Sequence, residues 1–346
     1  MRLRDKTEAK RVSKSVPADL GKTPLEGVVR ALFEVSWGRA RDLVKRGKIA
    51  VEGRVVTDGT VRISAGSEIV FDPFARRARD PSRTAASSLP DGAIVHVDAH
   101  VVVVHKPSGI ATVPFDPEGM GASIAKRARP GEEAALDECV RAVLARRDKR
   151  ERRTPPALGV VHRIDKETSG LVVFTRTWAA KKALSNDFRF HRVHRRYLAI
   201  VHGEARAGTI ATHLVEDRGD GLRGSIEHRR GRKHAVGREQ SQHAITHVEV
   251  LERLGGALGS RRATLVACRL ETGRTHQIRI HLSESGHPLV GERVYVRDYD
   301  GPRIAAPRLM LHAAELGFVH PADEREMRWV SALPADMAAL LDSLRS

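Results

Sequence analysis

Asp165 is the residue around which chemistry is easiest to place. It lies in His162-Arg163-Ile164-Asp165-Lys166-Glu167-Thr168-Ser169-Gly170, a polar turn led into by Val160-Val161 and out of by Leu171-Val172-Val173-Phe174. Short apolar runs of this kind read as strands, and a loop held between strands exposes a side chain while keeping it in place. Arg163 and Lys166 bracket the carboxylate. Cations that close keep a carboxylate ionised, which suits a nucleophile or base and suits a general acid poorly. Taken by itself, an Arg-x-Asp-Lys string reads as an ordinary loop salt bridge.

A second polar stretch is Leu270-Glu271-Thr272-Gly273-Arg274-Thr275-His276-Gln277-Ile278-Arg279-Ile280-His281. A strand over 265–270 meets Thr-Gly and then a helical segment, so polar groups gather at a helix N-terminus, where anions bind well. The spacing of His276 and His281 does not set them together on a helix, and no cysteine or carboxylate cluster joins them, so no metal site is expected. The formal Gly-x-Gly-x-x-Gly at 219–224 has no strand before it and no helix after it, which excludes a dinucleotide site. A Walker-type phosphate loop is absent from the sequence.

Composition narrows the partner. The 346 residues carry a net charge of +17, a field that points to a polyanion, nucleic acid before membrane. No apolar run approaches the ~18 residues needed to span a bilayer. Met1-Arg2-Leu3-Arg4 lacks an apolar signal core, and Asp5 and Glu8 argue against a transit peptide. Cys139 and Cys268 are too few for a disulfide framework or a cysteine zinc site. A soluble cytoplasmic protein is expected.

Elements must position these stretches. Residues 1–21 read as a basic tail. Thr23 is placed to cap a helix, with Pro24 first and Glu26 completing a capping box, and Leu25, Val28, Val29, Leu32 and Phe33 form its buried stripe. Ser36 can cap a second helix that packs through Ala40, Leu43 and Val44 and ends at Gly47; a hairpin around Glu52-Gly53 and a strand over 68–71 follow. Residues 73–91 read as a linker. Ile94–Val97 and Val101–Val104 open a second region as strands, with Lys106-Pro107-Ser108-Gly109 as a structural turn. Residues 131–150 read as a surface helix packing through Leu136, Val140, Val143 and Leu144. Thr177 can cap a helix over 178–188, and a strand carrying Tyr197 follows a cationic cluster. Residues 216–241 read as a long flexible hairpin insertion, and a last helix shows Met337, Leu340, Leu341 and Leu344 at core spacing.

The string around Asp165 resembles the His-Arg-Leu-Asp-x-x-Thr-Ser-Gly signature of RluA-type pseudouridine synthases, with Ile164 in place of Leu. The later stretch resembles that family's Thr-Gly-Arg-x-His-Gln-Ile-Arg-x-His motif, Ile94 to Pro114 its opening motif, and Arg308 to Ala313 its closing one. Glu292 is a departure, standing where Gly-Asp is usual and touching a supporting hydrogen bond. Residues 22–72 resemble the small S-four-like RNA-binding domain, in which Arg39, Arg41, Lys45, Arg46 and Lys48 would meet RNA. The implied fold is α+β: a catalytic domain over 92–346 with a mixed, mainly antiparallel sheet and a central cleft, and a small N-terminal α/β RNA-binding domain.

What the resemblance implies is isomerisation of specific uridines to pseudouridine in structured RNA, large-subunit ribosomal before transfer RNA; a monomer is expected. The target base must leave its stack, at a cost of a few kcal/mol. Arg163 would fill the vacated space, Tyr197 would stack on the flipped uracil, Asp165 would be the nucleophile and Arg279 its ion-pair partner. Arg274, His276 and Gln277 would line the RNA path. The carbon-5 proton would leave to Tyr197 or to a water. Net redox change is zero, so no cofactor or metal is implied. The rival readings are a non-catalytic RNA-binding or ribosome-assembly factor on the same scaffold, a glycosidic-bond hydrolase, and a transfer-RNA pseudouridine synthase.

Overall fold

The computed structural model describes residues 11–73, 75, 89, 91–114, 134–147, 158–228, 240–255 and 262–345. The chain first builds a small unit from β1 (Val12–Ser15), β2 (Thr23–Pro24), α1 (Leu25–Phe33), α2 (Trp37–Lys45), β3 (Ile49–Val51), β4 (Arg54–Val55), β5 (Arg62–Ile63) and β6 (Glu68–Phe71). Its sheet runs β1-β6-β3-β4, and β2 pairs separately with β5. The expected stripe of α1 is buried, with Leu25, Val28, Val29 and Phe33 packing on Leu43 and Val44 of α2 and on Ile49 and Ile69 of the sheet. Ser36 caps α2 by accepting the Arg39 N–H at 3.2 Å.

Three expectations about this unit are corrected. Thr23 does not cap α1, because pairing with Ile63 draws it into β2 and Pro24 takes the cap position. Glu26 therefore completes no capping box; its buried carboxylate pairs with Arg41 and Arg297 instead. Residues 12–16, expected within the tail, are structured, since Val12–Ser15 pairs with β6 and Val16 is buried. Residues 1–10, and 74, 76–88 and 90 of the linker, lie outside the described residues.

One large sheet carries the rest. In chain order its elements are β7 (Ile94–Val97), β8 (Val101–Lys106), α3 (Leu136–Arg147), β9 (Gly159–Val160), β10 (Ser169–Thr175), α4 (Trp178–Arg189), β11 (His194–His202), β12 (Gly208–Val215) and β13 (Gly224–Ser225). Then come β14 (Gln242–Leu254), β15 (Ala263–Leu270), α5 (Gln277–Glu284), β16 (Leu311–Val319), β17 (Glu326–Val330) and α6 (Ala335–Arg345). The strands lie in the order β13-β12-β14-β15-β11-β16-β10-β8-β7, with β17 on β16 and β9 on β10. Neighbours are antiparallel except β10 and β16, where Ser169 and Gly170 pair in parallel with His312 and Ala313. The fold is thus α+β with a mixed, mainly antiparallel sheet.

Period-two alternation explains the uninterrupted valines of β8. Val102 and Val104 face α3 together with Val172 and Phe174, while Val101 and Val103 face Leu184 of α4 with Leu171 and Val173. A strand covered on both faces has no need of polar residues. Leu136, Val140, Val143 and Leu144 are the buried face of α3, as their spacing predicts. At Gly170 the backbone has φ +120°, and a Cβ would collide with the Ala313 backbone, so glycine alone lets β10 start against β16. The 216–241 segment connects the antiparallel strands β12 and β14, and its described first part folds back so that β13 pairs with the end of β12. Asp217 and Asp220 accept N–H groups of Gly219, Gly221 and Leu222, folding it into tight turns before β13; residues 229–239 lie outside the described residues. Among the described residues no helix is long and apolar enough to cross a membrane.

Candidate active site

The Asp165 loop, between β9 and β10, is tied at several points. Thr112 Oγ1 donates to the Ile164 carbonyl at 2.8 Å and accepts the Ile164 N–H at 3.2 Å. The Lys166 carbonyl accepts from the Gly109 N–H at 2.8 Å and from Lys106 Nζ at 2.9 Å. Lys106 is only 1% exposed, and its Nζ also donates to the carbonyls of Pro107 and Ile110. Three carbonyl acceptors match the three protons of an ammonium, while burial pushes the group down to about 7. The Lys106-Pro107-Ser108-Gly109 turn is therefore a strut beneath the loop that carries Asp165.

Arg279, on the first turn of α5, reaches that loop from a distant part of the chain. Its Nε and Nη2 each donate to Glu292 at 2.8 Å, and its Nη1 lies 3.6 Å from Asp165 Oδ2 and 3.9 Å from Glu167 Oε2. Glu292 also accepts the N–H groups of Arg293 and Val294 at 3.0 and 2.8 Å. Burial acts on Arg279 against its charge, but the carboxylates around it outweigh burial and hold the guanidinium well above its ordinary range. The departure at Glu292 thus leaves the support intact, because the longer side chain makes a bidentate pair. The sequence reading missed Glu167 as a third carboxylate here. Burial raises it, yet Arg279 and Lys45 hold it below the usual range.

His276 precedes α5 with φ 59° and places Nε2 at 4.0 Å from Asp165 Oδ1. The Tyr295 hydroxyl meets its Nδ1 at 2.6 Å; with the phenol donating, the imidazole proton sits on Nε2 and faces Asp165. Burial pushes this imidazole down against the pull of Asp165. Tyr295 was not singled out from the sequence. Gln277 is corrected from an RNA contact to a clamp. It is 2% exposed, its Oε1 accepts from Thr272 Oγ1 and the Arg274 N–H, and its Nε2 donates to the Ile245 carbonyl and Thr246 Oγ1. No amide capacity remains for RNA.

The cleft over Asp165 has a volume of about 440 Å³, within the ~300–1,000 Å³ typical of small-ligand sites. Tyr197 lines it from β11, at a bulge between Arg196 and Tyr197. Burial pushes its phenol up, Arg195 pulls it back, and the nearby Asp165 pushes it further up. Arg195 donates to the Glu271 carbonyl at 3.1 Å and lies 5.5 Å over the Phe188 ring, which in turn stacks on His162 at 4.5 Å. His162 accepts the Val173 N–H on Nε2, and burial lowers it to about 3, so it is a neutral structural group. Arg163 and Arg274 are exposed at the rim, joined there by Arg189, which sequence reading did not select. Among the described residues no cluster of three His, Cys, Asp or Glu side chains could hold a metal.

The five cations expected to bind RNA from the N-terminal unit divide. Arg39, Lys45 and Arg46 are exposed on α2, Arg39 and Arg46 each paired with Asp42 at 3.5 and 2.6 Å. Arg41 and Lys48 are corrected. Arg41 turns inward to Glu26 and to the Gly221 carbonyl, and Lys48 Nζ donates to the Pro73 and Ala75 carbonyls at 2.8 and 2.5 Å.

The profile of the RNA pseudouridylate synthase family matches residues 100–284. A ribosomal large subunit pseudouridine synthase D of Xylella fastidiosa is 30% identical over 96% of this chain and 92% of its own. A protein of the same description from Pseudomonas aeruginosa is 31% identical over 95% and 94%. In a solved structure, human RNA pseudouridylate synthase domain containing 4 is 25% identical over 73% of this chain and 93% of its own, with a TM-score of 0.51. The chain therefore belongs to the RNA pseudouridylate synthase family, as an RNA pseudouridine synthase of the RluA type.

Proposed function

We propose that this synthase isomerises specific uridines of large-subunit ribosomal RNA, with Asp165 as nucleophile acting on a flipped base. The observation that carries the reading is the Asp165 carboxylate in a nucleoside-sized cleft, held 3.6 Å from an Arg279 that Glu292 immobilises. A non-catalytic assembly factor has no use for that arrangement. The names of the relatives favour ribosomal RNA.

In this reading residues 22–72 are an S-four-like RNA-binding domain and 92–346 the catalytic domain of a cytoplasmic monomer. Exposed Arg39, Lys45, Arg46 and Arg274 meet phosphates. The target uridine leaves its stack, Arg163 takes its place and Tyr197 stacks on the uracil. Asp165 attacks C1′ or takes the C2′ proton, and either route breaks the N1–C1′ bond. The uracil turns and C5 bonds to C1′ as the Asp165–C1′ bond breaks, or as Asp165 returns its proton to C2′. The C5 proton then leaves to a water, or through the Tyr197 hydroxyl as it hands its own proton on, while N1 gains a proton. Atoms and electrons balance with no cofactor.

The test is a transcriptome-wide pseudouridine map with and without the gene. Loss at one or a few large-subunit ribosomal positions is expected. Loss confined to transfer RNA would overturn the target, and an unchanged map would overturn the substrate altogether.

A further inference from the structure

The turns at 217–222 take no part in the cleft around Asp165. They form a knob held from below by Arg218, 6% exposed, which bonds to Asp220 at 3.1 Å and Asp298 at 3.2 Å and lies 3.6 Å from Glu284. The knob faces the N-terminal unit. Trp37 at the start of α2 lies so close to Gly221 that a Cβ there would enter the indole, and φ is +77°. Arg41 donates to the Gly221 carbonyl. Arg297, next to the knob, lies 5.2 Å over the same indole and pairs with Glu26 at 2.7 Å, while Arg62 donates to the Arg297 carbonyl at 3.3 Å. The side chains of Arg297 and Glu26 are 10% and 11% exposed. Charges so poorly solvated need their partners, and here the partners come from opposite sides of the junction.

We propose that the 217–222 knob is a docking surface for the N-terminal unit of its own chain, and that the dock makes α2 and the catalytic cleft one RNA-reading surface. The second half rests on the RNA-binding reading of that unit given above. Lys45 of α2 stands close enough to the catalytic loop to lower Glu167. The groove of about 1420 Å³ between them shares Arg279 with the Asp165 cleft. Two RNA contacts held at a fixed spacing act at a high effective concentration, which a loosened junction forfeits.

The test uses the full chain. Cys139 and Cys268 are buried, so thiols introduced by Arg54→Cys and Val330→Cys at exposed positions take spin labels selectively. One narrow inter-label distance is expected, broadened both by Gly221→Val and by Trp37→Ala. Trp37 lies outside the core of the N-terminal unit, so that second variant keeps the unit folded. A broad distance in the parent chain, or a narrow one in both variants, would overturn the dock. Both variants should lose ~10- to 100-fold in kcat/KM on a long structured RNA and keep parental kcat/KM on a short stem-loop with the same uridine. Equal losses on both RNAs, or none on the long one, would overturn the shared surface. If the parent chain converts neither RNA, the proposed substrate fails, and the distances still decide the dock.

Discussion

Glu292 grips Arg279 with both carboxylate oxygens, at 2.8 Å each, so that Nη1 is the nitrogen turned toward Asp165. A guanidinium gripped along one edge cannot swing, and the reactive carboxylate inherits its orientation. Glu292→Gln keeps the shape and removes the charge. It should slow single-turnover pseudouridine formation by ~10- to 100-fold, the span of a lost charged contact of about 1.5–3 kcal/mol, with RNA affinity retained. Parental rates in this variant would show that Asp165 is positioned without Arg279.

Lys106 predicts a stability effect. Lys106→Met leaves the carbonyls of Pro107 and Ile110 without this donor and takes from the Lys166 carbonyl one of its two, the Gly109 N–H remaining. Unsatisfied buried groups cost about 1–3 kcal/mol each, so the urea midpoint should fall clearly at unchanged slope. An unaltered midpoint would mean that the strut carries no stress.

Sequence alone marks out the strings around Asp165 and Arg279, which the fold brings to 3.6 Å, and β8 and β10 announce themselves as valine runs because both their faces are covered. Thr23-Pro24-Leu25-Glu26 failed for a physical reason: a capping box is a local pattern, while Ile63, Arg41 and Arg297 claim Thr23 and Glu26 through contacts distant in the chain. Arg41 was misread in the same way, since a basic helix face shows its charge but not the Gly221 carbonyl opposite. Gln277 had the right place and the wrong task, because saturation of its amide depends on Ile245 and Thr246 of another strand.

Buried neutral histidines set the acid limit of the fold. Burial lowers His162 to about 3 and His202, His281 and His312 to about 4, from an ordinary 6.5. The unfolded imidazoles take protons below pH 6.5 while the folded ones wait, so stability present above 6.5 is lost as pH falls toward 4. Each contributes a slope of about 1.4 kcal/mol per pH unit in that window. Unfolding at pH 5.5 should take up about three to four protons from these groups, measurable by calorimetry in buffers of different ionisation heat. Uptake near zero would contradict their neutral burial.

Tyr197 is asked both to stack and to relay a proton through its hydroxyl. Tyr197→Phe keeps the ring, so RNA binding should persist while turnover falls by ~10²–10⁴, the span for losing an acid–base group. A Phe variant as fast as the parent would leave the proton to water and Tyr197 only as a platform.

The whole proposed reaction turns on Asp165 as nucleophile. Asp165→Asn alters a loop side chain that is 20% exposed and outside the apolar clusters, so the fold and RNA affinity should survive. The direct measurement follows uridine-labelled target RNA with the parent chain and with this variant at equal RNA occupancy. Pseudouridine is expected from the parent chain and none from Asp165→Asn. Even a tenth of parental turnover in the variant, or released uracil from the parent chain, would contradict it.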